Sequence, residues 1–204
     1  DLPAPDAKLQ LMAMAIQRFS DAGYVHIGMD HFARPEDDLA LAQSQGRLVR
    51  NFQGYSASGD MDTVGLGVSA ISQVGPAYSQ NEKTLDEYYH RLDSGFLPVA
   101  RGVELSRDDL VRRAIIQALA CHFSVSIESI NIAHLIDFHL YFADEIRRVG
   151  PLIEDGLVEM DSDWITVTPA GRMVVRSICM VFDRYLRVRE ERESASRIRY
   201  SAVV

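Results

Sequence analysis

The densest group of side chains that could bind a ligand lies between positions 47 and 55. Arginine binds carboxylates and phosphates through paired hydrogen bonds, an aromatic ring stacks on a heterocycle, and a side-chain amide both donates and accepts. The segment holds two arginines, two amides and two rings, namely Arg47, Arg50, Asn51, Gln53, Phe52 and Tyr55. The same residues would also suit a solvated loop anchored by one phenylalanine, and the sequence alone leaves both interpretations open.

A glycine pattern follows this segment. Gly65, Gly67 and Ala70 formally match the G-x-G-x-x-G/A pattern of dinucleotide-binding proteins. In those proteins the glycines open a helix, whereas here Gly75 and Pro76 follow too soon for one. We therefore reject a dinucleotide-binding fold. The small residues instead predict a buried strand over 63–72, against which a ligand or a helix could pack closely.

Histidine and cysteine give little support for a metal site. The histidines that fall in pairs five residues apart are His26, His31, His134 and His139. Neither pair has a nearby cysteine or histidine that completes a ligand set. The chain's two cysteines, Cys121 and Cys179, lie far apart within apolar helical patterns, which is typical of buried structural thiols. No metal site and no catalytic residue are predicted in this chain.

The elements that position these residues follow from hydrophobic periodicity. Apolar residues at three- and four-residue spacing predict a helix over 6–22, and a second helix is predicted over 35–46. Short apolar strands are predicted over 24–29 and 63–72. Alternating helices and strands without hairpin signals indicate the end of a parallel α/β sheet. So few strands would not complete a sheet, and we expect residues before Asp1 to supply the rest.

From position 83 onward the pattern becomes mainly helical. Capping boxes over 84–87 and 106–109 predict the starts of two helices, and a further helix is predicted over 135–153. A strand, a tight turn at 161–163, a second strand and a final helix over 173–193 follow. Thr168 is the predicted N-cap of that helix, with Pro169 at its first position. This order of elements is typical of a winged-helix module.

Composition excludes several classes of protein. The chain has 204 residues, 47% of them hydrophobic and 25% charged, which is ordinary for a globular protein. No apolar run is long enough for a membrane span and no signal peptide is recognisable. The net charge of −8 disfavours sequence-independent nucleic-acid binding. Two cysteines fit a reducing compartment, so a cytoplasmic location is expected.

Eight short motifs occur in an order that resembles a known family. They are Gly28-Met-Asp-His-Phe-Ala-Arg-Pro35, Arg50-Asn-Phe-Gln-Gly-Tyr55, Gly65-Leu-Gly-Val-Ser-Ala-Ile-Ser72, Tyr78-Ser-Gln-Asn81, Arg101-Gly102, Ser106-Arg-Asp-Asp109, Asp155-Gly-Leu-Val158 and Ile178-Cys-Met-Val-Phe-Asp183. Together they cover nearly the whole chain and resemble oxygen-independent coproporphyrinogen III oxidase. The related haem chaperones typically carry His-Asn-x-x-Tyr-Trp at the second motif, so this chain is more similar to the oxidase branch.

The resemblance implies a fold and a set of cofactors. In that family a radical S-adenosylmethionine barrel carries a 4Fe-4S cluster on a CxxxCxxC motif, which this chain lacks. The cluster ligands are therefore expected before Asp1. The implied fold class is α/β plus α, with the last strands and helices of the (β/α) barrel over 1–80. A mainly helical C-terminal domain with a winged-helix-like hairpin is expected over 81–204.

The resemblance also implies a site and a reaction. Phe52, Gln53 and Ile71 are implied to line the S-adenosylmethionine site. The implied reaction is oxidative decarboxylation of two propionates of coproporphyrinogen III to give protoporphyrinogen IX in haem biosynthesis. Arg47, Arg50 and Arg101 are candidate partners for the substrate's carboxylates.

Two alternatives to the oxidase stay open. One is a haem carrier of the chaperone branch. The other is a winged-helix binding or regulatory module. Its groove-facing helix over 135–153 carries three acids against two arginines, so nucleic acid is not an expected partner. The isolated chain is expected to be inactive, and the sequence names no electron donor or acceptor.

Overall fold

The strands form four small antiparallel sheets. The computed structural model describes residues 4–59 and 61–186, and within those ranges two sheets have two strands and two have three. Every described pairing is antiparallel. The prediction that these strands form the end of a parallel α/β sheet is therefore wrong for the described residues. In each of the four sheets a short turn connects at least one pair of neighbouring strands, whereas parallel pairing requires long crossovers.

The segment over 5–56 consists of two helices and two hairpins. The elements are α1 (Pro5–Asp21), β1 (Val25–Gly28), β2 (His31–Ala33), α2 (Asp38–Ser44), β3 (Val49–Asn51) and β4 (Gly54–Ser56). Both predicted helices are confirmed, and the predicted strand over 24–29 is confirmed as β1. Asp37 caps α2, because its carboxylate accepts a hydrogen bond from the Leu39 amide at 2.9 Å.

The turns of these hairpins explain why the sequence pattern did not reveal them. Met29 and Asp30 connect β1 to β2, and Phe52 and Gln53 connect β3 to β4. Two-residue hairpin turns are usually marked by Asn-Gly, Asp-Gly or another glycine pair, and neither turn has that composition. Met29 takes the left-handed conformation without being a glycine, with a φ of 50°.

A three-stranded sheet follows, in the order β5-β6-β7. Its elements are β5 (Ile71–Val74), β6 (Ala77–Asn81) and β7 (Val99–Glu104), with α3 (Leu85–Asp93) between the last two strands. Gly75 and Pro76 form the turn from β5 to β6, and Gly75 supplies a positive φ of 52° there. Thr84 caps α3 through its hydroxyl, as predicted.

The buried strand predicted over 63–72 is mostly wrong. Only its last two residues belong to β5. The side-chain amide of Asn81 donates to the carbonyls of Gly65 and Gly67 at 3.0 and 2.9 Å, which holds the preceding segment in a folded loop. The side chain of Asn81 on β6 thus fixes the conformation of this loop. A local pattern of small residues does not predict such a contact.

The remaining elements combine helices with a sheet in the order β8-β10-β9. They are α4 (Arg107–His122), β8 (Ser124–Ser126), α5 (Ile127–His134), α6 (Phe138–Tyr141), α7 (Ala143–Glu154), β9 (Val158–Met160), β10 (Trp164–Val167), a 3-10 helix (Gly171–Val174) and α8 (Val175–Met180). The capping box that opens α4 is confirmed. The Ser106 hydroxyl accepts from the Asp109 amide at 3.2 Å, and the Asp109 carboxylate accepts from the Ser106 amide at 2.9 Å. The predicted hairpin around 161–163 is also confirmed.

The span predicted as one helix over 135–153 is divided in the structure. Leu135 ends α5 in the left-handed conformation, with a φ of 54°, and α6 and α7 follow as separate helices. No sequence pattern predicted α5. The predicted helix over 173–193 is also divided, because α8 ends at Met180 and residues 184–186 are helical again. A 3-10 helix that starts at Gly171 precedes α8, so Thr168 and Pro169 do not open it as predicted. The part of the prediction beyond 186 lies outside the described residues.

Helix α4 contributes to both apolar cores. Ile115 and Leu119 are completely buried in the larger core, which includes residues of the β8-β10-β9 sheet and of α8. Cys121 is completely buried in the smaller core, beside Ile27 and Leu48. Burial of one large apolar side chain contributes about 1.5–3 kcal/mol, so α4 stabilises both halves of the chain. Cys121 and Cys179 are both free and buried, as predicted.

Candidate functional site

A cavity among the described residues, which we call the main cavity, has a volume of about 580 Å³. It lies where the β3–β4 hairpin, the β5–β6 hairpin, α4 and the segment after α8 meet. Its lining residues are Arg50, Asn51, Phe52, Gln73, Tyr78, Leu105, Asp109, Arg112, Arg113, Ile116, Gln117, Phe182, Asp183, Arg184 and Tyr185. A cavity of this size, with aromatic walls and several arginines, is suited to an organic ligand that carries negative charge.

Two smaller cavities adjoin the main one. The second cavity, of about 240 Å³, lies towards α8. The third, of about 200 Å³, lies towards the β3–β4 hairpin. Arg50 and Gln117 line all three cavities. These two residues therefore mark the point where the cavities meet.

Gln117 holds the backbone of Arg50 in place. The Arg50 amide donates to Oε1 of Gln117 at 3.0 Å, and Nε2 of Gln117 donates back to the Arg50 carbonyl. The side-chain amide thus pairs with β3 as a neighbouring strand would. This contact ties the hairpin that carries Arg50 to helix α4.

The ring of Tyr55 packs against the guanidinium of Arg50. The guanidinium carbon of Arg50 lies 5.5 Å from the centre of the Tyr55 ring, within the range of a cation–π contact. The Tyr55 hydroxyl donates to the Ala120 carbonyl at 2.9 Å, and burial raises the pKa of Tyr55 to about 12. A Cβ at Gly28 would collide with this hydroxyl. Tyr55 is therefore a fixed, protonated support.

A network of ion pairs forms another wall of the main cavity. Arg112 donates through Nε to Asp108 and through a terminal nitrogen to Glu145, both at 2.9 Å. Arg184 also donates to Asp108 at 2.9 Å, and the Tyr185 hydroxyl donates to Asp109 at 3.2 Å. The segment over 182–185 is thereby held against α4.

These pairs neutralise most of the charge in the network, although Oδ1 of Asp109 is buried without a hydrogen-bond partner. Burial raises the pKa of Asp108, but hydrogen bonds from two arginines and from Tyr141 outweigh it, so the pKa lies below its usual value. Arg112 also donates to the Phe182 carbonyl at 3.1 Å. Arg112 and Arg184 are therefore engaged with protein groups, in contrast to Arg50.

The three residues implied for S-adenosylmethionine lie near one another but do not share a cavity. Phe52 is 62% exposed, lines the main cavity and meets the Tyr78 ring edge-on at 5.2 Å. Gln53 is exposed and lines the third cavity. Ile71 is half-buried on β5 and lines none of the three cavities. Their role as a ligand site stays a prediction.

Of the three arginines proposed for carboxylates, the structure places only Arg50 at the cavities. Arg47 is exposed and donates to the side chain of Gln45 at 2.9 Å. Arg101 is exposed on β7 and donates to the side chain of Gln80 at 3.0 and 2.7 Å. Gln117 was not predicted, because it lies 67 residues from its partner Arg50 and no local pattern marks it.

The residues of this chain do not fit a 4Fe-4S cluster. The described residues contain no group of three or more histidines, cysteines or acids that could hold a metal ion. Burial raises the pKa of Cys121 and of Cys179 to about 12, and cluster ligands are thiolates. Neither thiol is therefore suited to ligate such a cluster.

Within the ranges that the structure describes, no helix combines the length and apolar character required to cross a bilayer.

Known proteins match this chain along its whole length. An oxygen-independent coproporphyrinogen III oxidase from Pseudomonas aeruginosa is 48% identical over 204 residues, which is 100% of this chain and 43% of that enzyme. The enzyme of the same name from Escherichia coli is 46% identical over 198 residues, which is 97% of this chain and 43% of that enzyme. The chain is related to the oxygen-independent coproporphyrinogen III oxidases.

A solved structure matches the same family as the sequence relatives. The solved structure of coproporphyrinogen III oxidase from Escherichia coli, a radical SAM enzyme, matches with a TM-score of 0.86 and 46% identity, over 91% of this chain and 43% of that chain. No protein-family model matches. The resemblance to oxygen-independent coproporphyrinogen III oxidase is confirmed, and the chain spans less than half the length of these relatives.

Proposed function

We propose that this chain is the C-terminal part of an oxygen-independent coproporphyrinogen III oxidase. The complete protein would convert coproporphyrinogen III to protoporphyrinogen IX. Each of two propionate groups would lose carbon dioxide, one hydrogen atom and one electron, and a vinyl group would remain. The hydrogen atom would pass to the radical generated from S-adenosylmethionine, and the electron would pass to an acceptor outside the described residues. The observation that carries this proposal is the 48% identity, sustained over all 204 residues, to an enzyme of that name.

The proposed division of the chain follows the same relationship. Residues 1–80 would form the C-terminal part of the barrel, and residues 81–204 would form a mainly helical domain with a winged-helix-like end. The sheet order β8-β10-β9, with α4 and α5 flanking β8 and α7 preceding β9, supports the second assignment. The described residues would then contribute one wall of the active site, at the main cavity.

The cofactors would be held mainly by other parts of the complete protein. S-adenosylmethionine, together with a reduced 4Fe-4S cluster, supplies the one-electron chemistry that propionate oxidation requires. We propose that Phe52 and Gln53 reach the S-adenosylmethionine from the β3–β4 turn and that Ile71 contacts it from β5. The exposure of the two turn residues supports this, because a partner outside the described residues could cover them.

The charge of α7 does not support a nucleic-acid function. Glu145 is buried against Arg112, and Arg147 pairs with Asp144 on the surface. A groove-facing helix needs an excess of exposed cations, and the paired charges here do not provide one. We propose that this domain covers the active site and that the complete enzyme works in the cytoplasm, where two free thiols would stay reduced.

The test is a chimaera in which this chain replaces the segment that it matches in the Escherichia coli enzyme. The chimaera is assayed anaerobically with coproporphyrinogen III, S-adenosylmethionine and a reductant, beside the unmodified enzyme. Conversion to protoporphyrinogen IX is the expected result. A chimaera that folds and carries a full cluster, yet yields neither protoporphyrinogen IX nor the mono-vinyl intermediate, would contradict the proposal.

A further inference from the structure

Arg50 is a partly buried cation without an anionic partner. Its Nε is shielded from solvent and has no hydrogen-bond partner. Among the described residues, no acidic side chain forms an ion pair with its guanidinium. Partial burial of a cation that has no ionic partner costs free energy, and binding of an anion would offset that cost.

Three acids line a cavity together with Arg50, namely Asp62, Asp109 and Asp183. Asp62 accepts a hydrogen bond from the Gly75 amide at 2.7 Å. Asp109 accepts from the Ser106 amide and hydroxyl through Oδ2, whereas its buried Oδ1 has no hydrogen-bond partner. Asp183 accepts from the Tyr185 amide at 2.9 Å. None of these three carboxylates forms an ion pair with Arg50 among the described contacts, which leaves the guanidinium available to an anion that enters from a cavity.

Neighbouring residues fix the position of Arg50 before an anion binds. Gln117 fixes its backbone through two hydrogen bonds, and the Tyr55 ring lies 5.5 Å from the guanidinium carbon. A guanidinium that is positioned in advance loses less conformational entropy when it binds. The position is also reachable, since Arg50 lines all three adjoining cavities.

We propose that Arg50 is a carboxylate-binding residue, and that the carboxylate belongs to a ligand whose body occupies the main cavity. The inference rests on the proposed function, which supplies two ligands that carry carboxylates: the tetrapyrrole with its propionates, and S-adenosylmethionine with its amino-acid end. Phe52, Tyr78 and Ile116 give the main cavity the apolar walls that a flat ring system requires.

The test measures binding to the 204-residue chain. The first probe is coproporphyrin III, the fluorescent oxidised form with the same four carboxylates, followed by fluorescence titration. Arg50→Gln removes the charge and the fork of donors, and should weaken binding by about tenfold or more. Arg147→Gln is the matched control, because it removes an arginine whose side chain is 76% exposed on α7. It should change affinity by less than about twofold.

The second probe is S-adenosylmethionine, followed by calorimetry, and it distinguishes the two sources of the carboxylate. A loss confined to coproporphyrin III assigns Arg50 to a propionate, and a loss confined to S-adenosylmethionine assigns it to the amino-acid carboxylate. Equal affinities of wild type and Arg50→Gln for both probes overturn the proposal. A wild-type chain that binds neither probe overturns it as well.

Stability separates ligand binding from a structural role. Because Arg50 lacks an anionic partner, Arg50→Gln should melt at the wild-type temperature or above it, whereas loss of a structural arginine would lower that temperature. Arg50→Lys keeps the charge without the fork, so it should bind the probe with an intermediate affinity. If Arg50→Lys binds as weakly as Arg50→Gln, paired hydrogen bonds from the guanidinium are still supported as the source of affinity. If Arg50→Lys binds as tightly as wild type, paired hydrogen bonding is contradicted.

This experiment can fail independently of the proposed function. A chimaera that converts coproporphyrinogen III, combined with binding that does not depend on Arg50, refutes only the role of Arg50. An inactive chimaera, combined with binding that does depend on Arg50, refutes the oxidase function and leaves the carboxylate site in place.

Discussion

Gln53 lies in the turn between β3 and β4, and its side chain is directed by no described hydrogen bond. Its backbone amide alone is fixed, by donation to Oδ1 of Asn51 at 2.9 Å. An exposed amide of this kind contributes under about 0.5 kcal/mol to stability. Loss of the side chain should therefore affect ligand binding far more than folding.

Gln53→Ala in the complete enzyme should strongly reduce porphyrinogen turnover at limiting S-adenosylmethionine. The melting temperature and the cluster content should stay near those of the wild type. Gln45→Ala is the control, because Gln45 is an exposed amide outside the three cavities. Full activity of Gln53→Ala would remove Gln53 from the S-adenosylmethionine site.

The two thiols allow a prediction about pH. Burial raises the pKa of Cys121 and Cys179 from about 9 to about 12, so the folded protein keeps protons that the unfolded protein releases above pH 9. The thiols therefore stabilise the fold fully below pH 9, and this contribution is lost as the pH rises towards 12. Urea unfolding between pH 8 and 11 should show a falling free energy of unfolding.

Chemical labelling checks the same burial. A maleimide at pH 8 should leave both thiols of the native chain unmodified and should modify both in denaturant. Rapid labelling of the native chain would show that the thiols are accessible and that their pKa is close to normal.

Among the elements, α4 and α7 are joined by the ion pair between Arg112 and Glu145. Glu145 is only 3% exposed, so Arg112→Met would leave a carboxylate buried beside an apolar side chain. Loss of one member of a buried pair typically costs about 3–5 kcal/mol. Arg147→Met, which removes a surface partner of Asp144, should cost less than about 1 kcal/mol. Urea titration of the two variants makes the comparison, and equal midpoints would refute a buried network.

Elements that begin with local capping signals were predictable from the sequence. Thr84 and Ser106 each cap the helix that follows them, and both signals lie within four residues. Hairpins closed by Met29 and Asp30, or by Phe52 and Gln53, carried no such signal. Their antiparallel pairing depends on backbone contacts that composition does not encode, and this is why a parallel sheet was predicted.

Only part of the candidate site was predictable from the sequence. Arg50, Phe52 and Gln53 stood out because chemically capable side chains are dense there. The other half of the site, from Gln117 to the segment over 182–185, comes from distant parts of the chain. Only the folded chain shows that Arg47 and Arg101 lie away from the cavities while Arg50 lies at their junction.

For the molecule as a whole, we expect the isolated chain to assemble no 4Fe-4S cluster. Its two cysteines are buried, and a cluster needs several thiolates close together. After anaerobic reconstitution with iron and sulfide, visible absorbance and iron analysis should show no stoichiometric cluster. A stoichiometric signal that survives gel filtration would contradict this expectation.

Helix α4 takes part in both apolar cores, and this couples the folding of the two parts of the chain. The proposed domain boundary lies near residue 80. A fragment that starts there would lack the residues that cover Cys121, such as Ile27 and Leu48. Neither piece would keep a complete interior. The two parts should therefore melt in one cooperative transition, and genetic exchange at that boundary would disrupt a folding unit rather than transplant an independent domain.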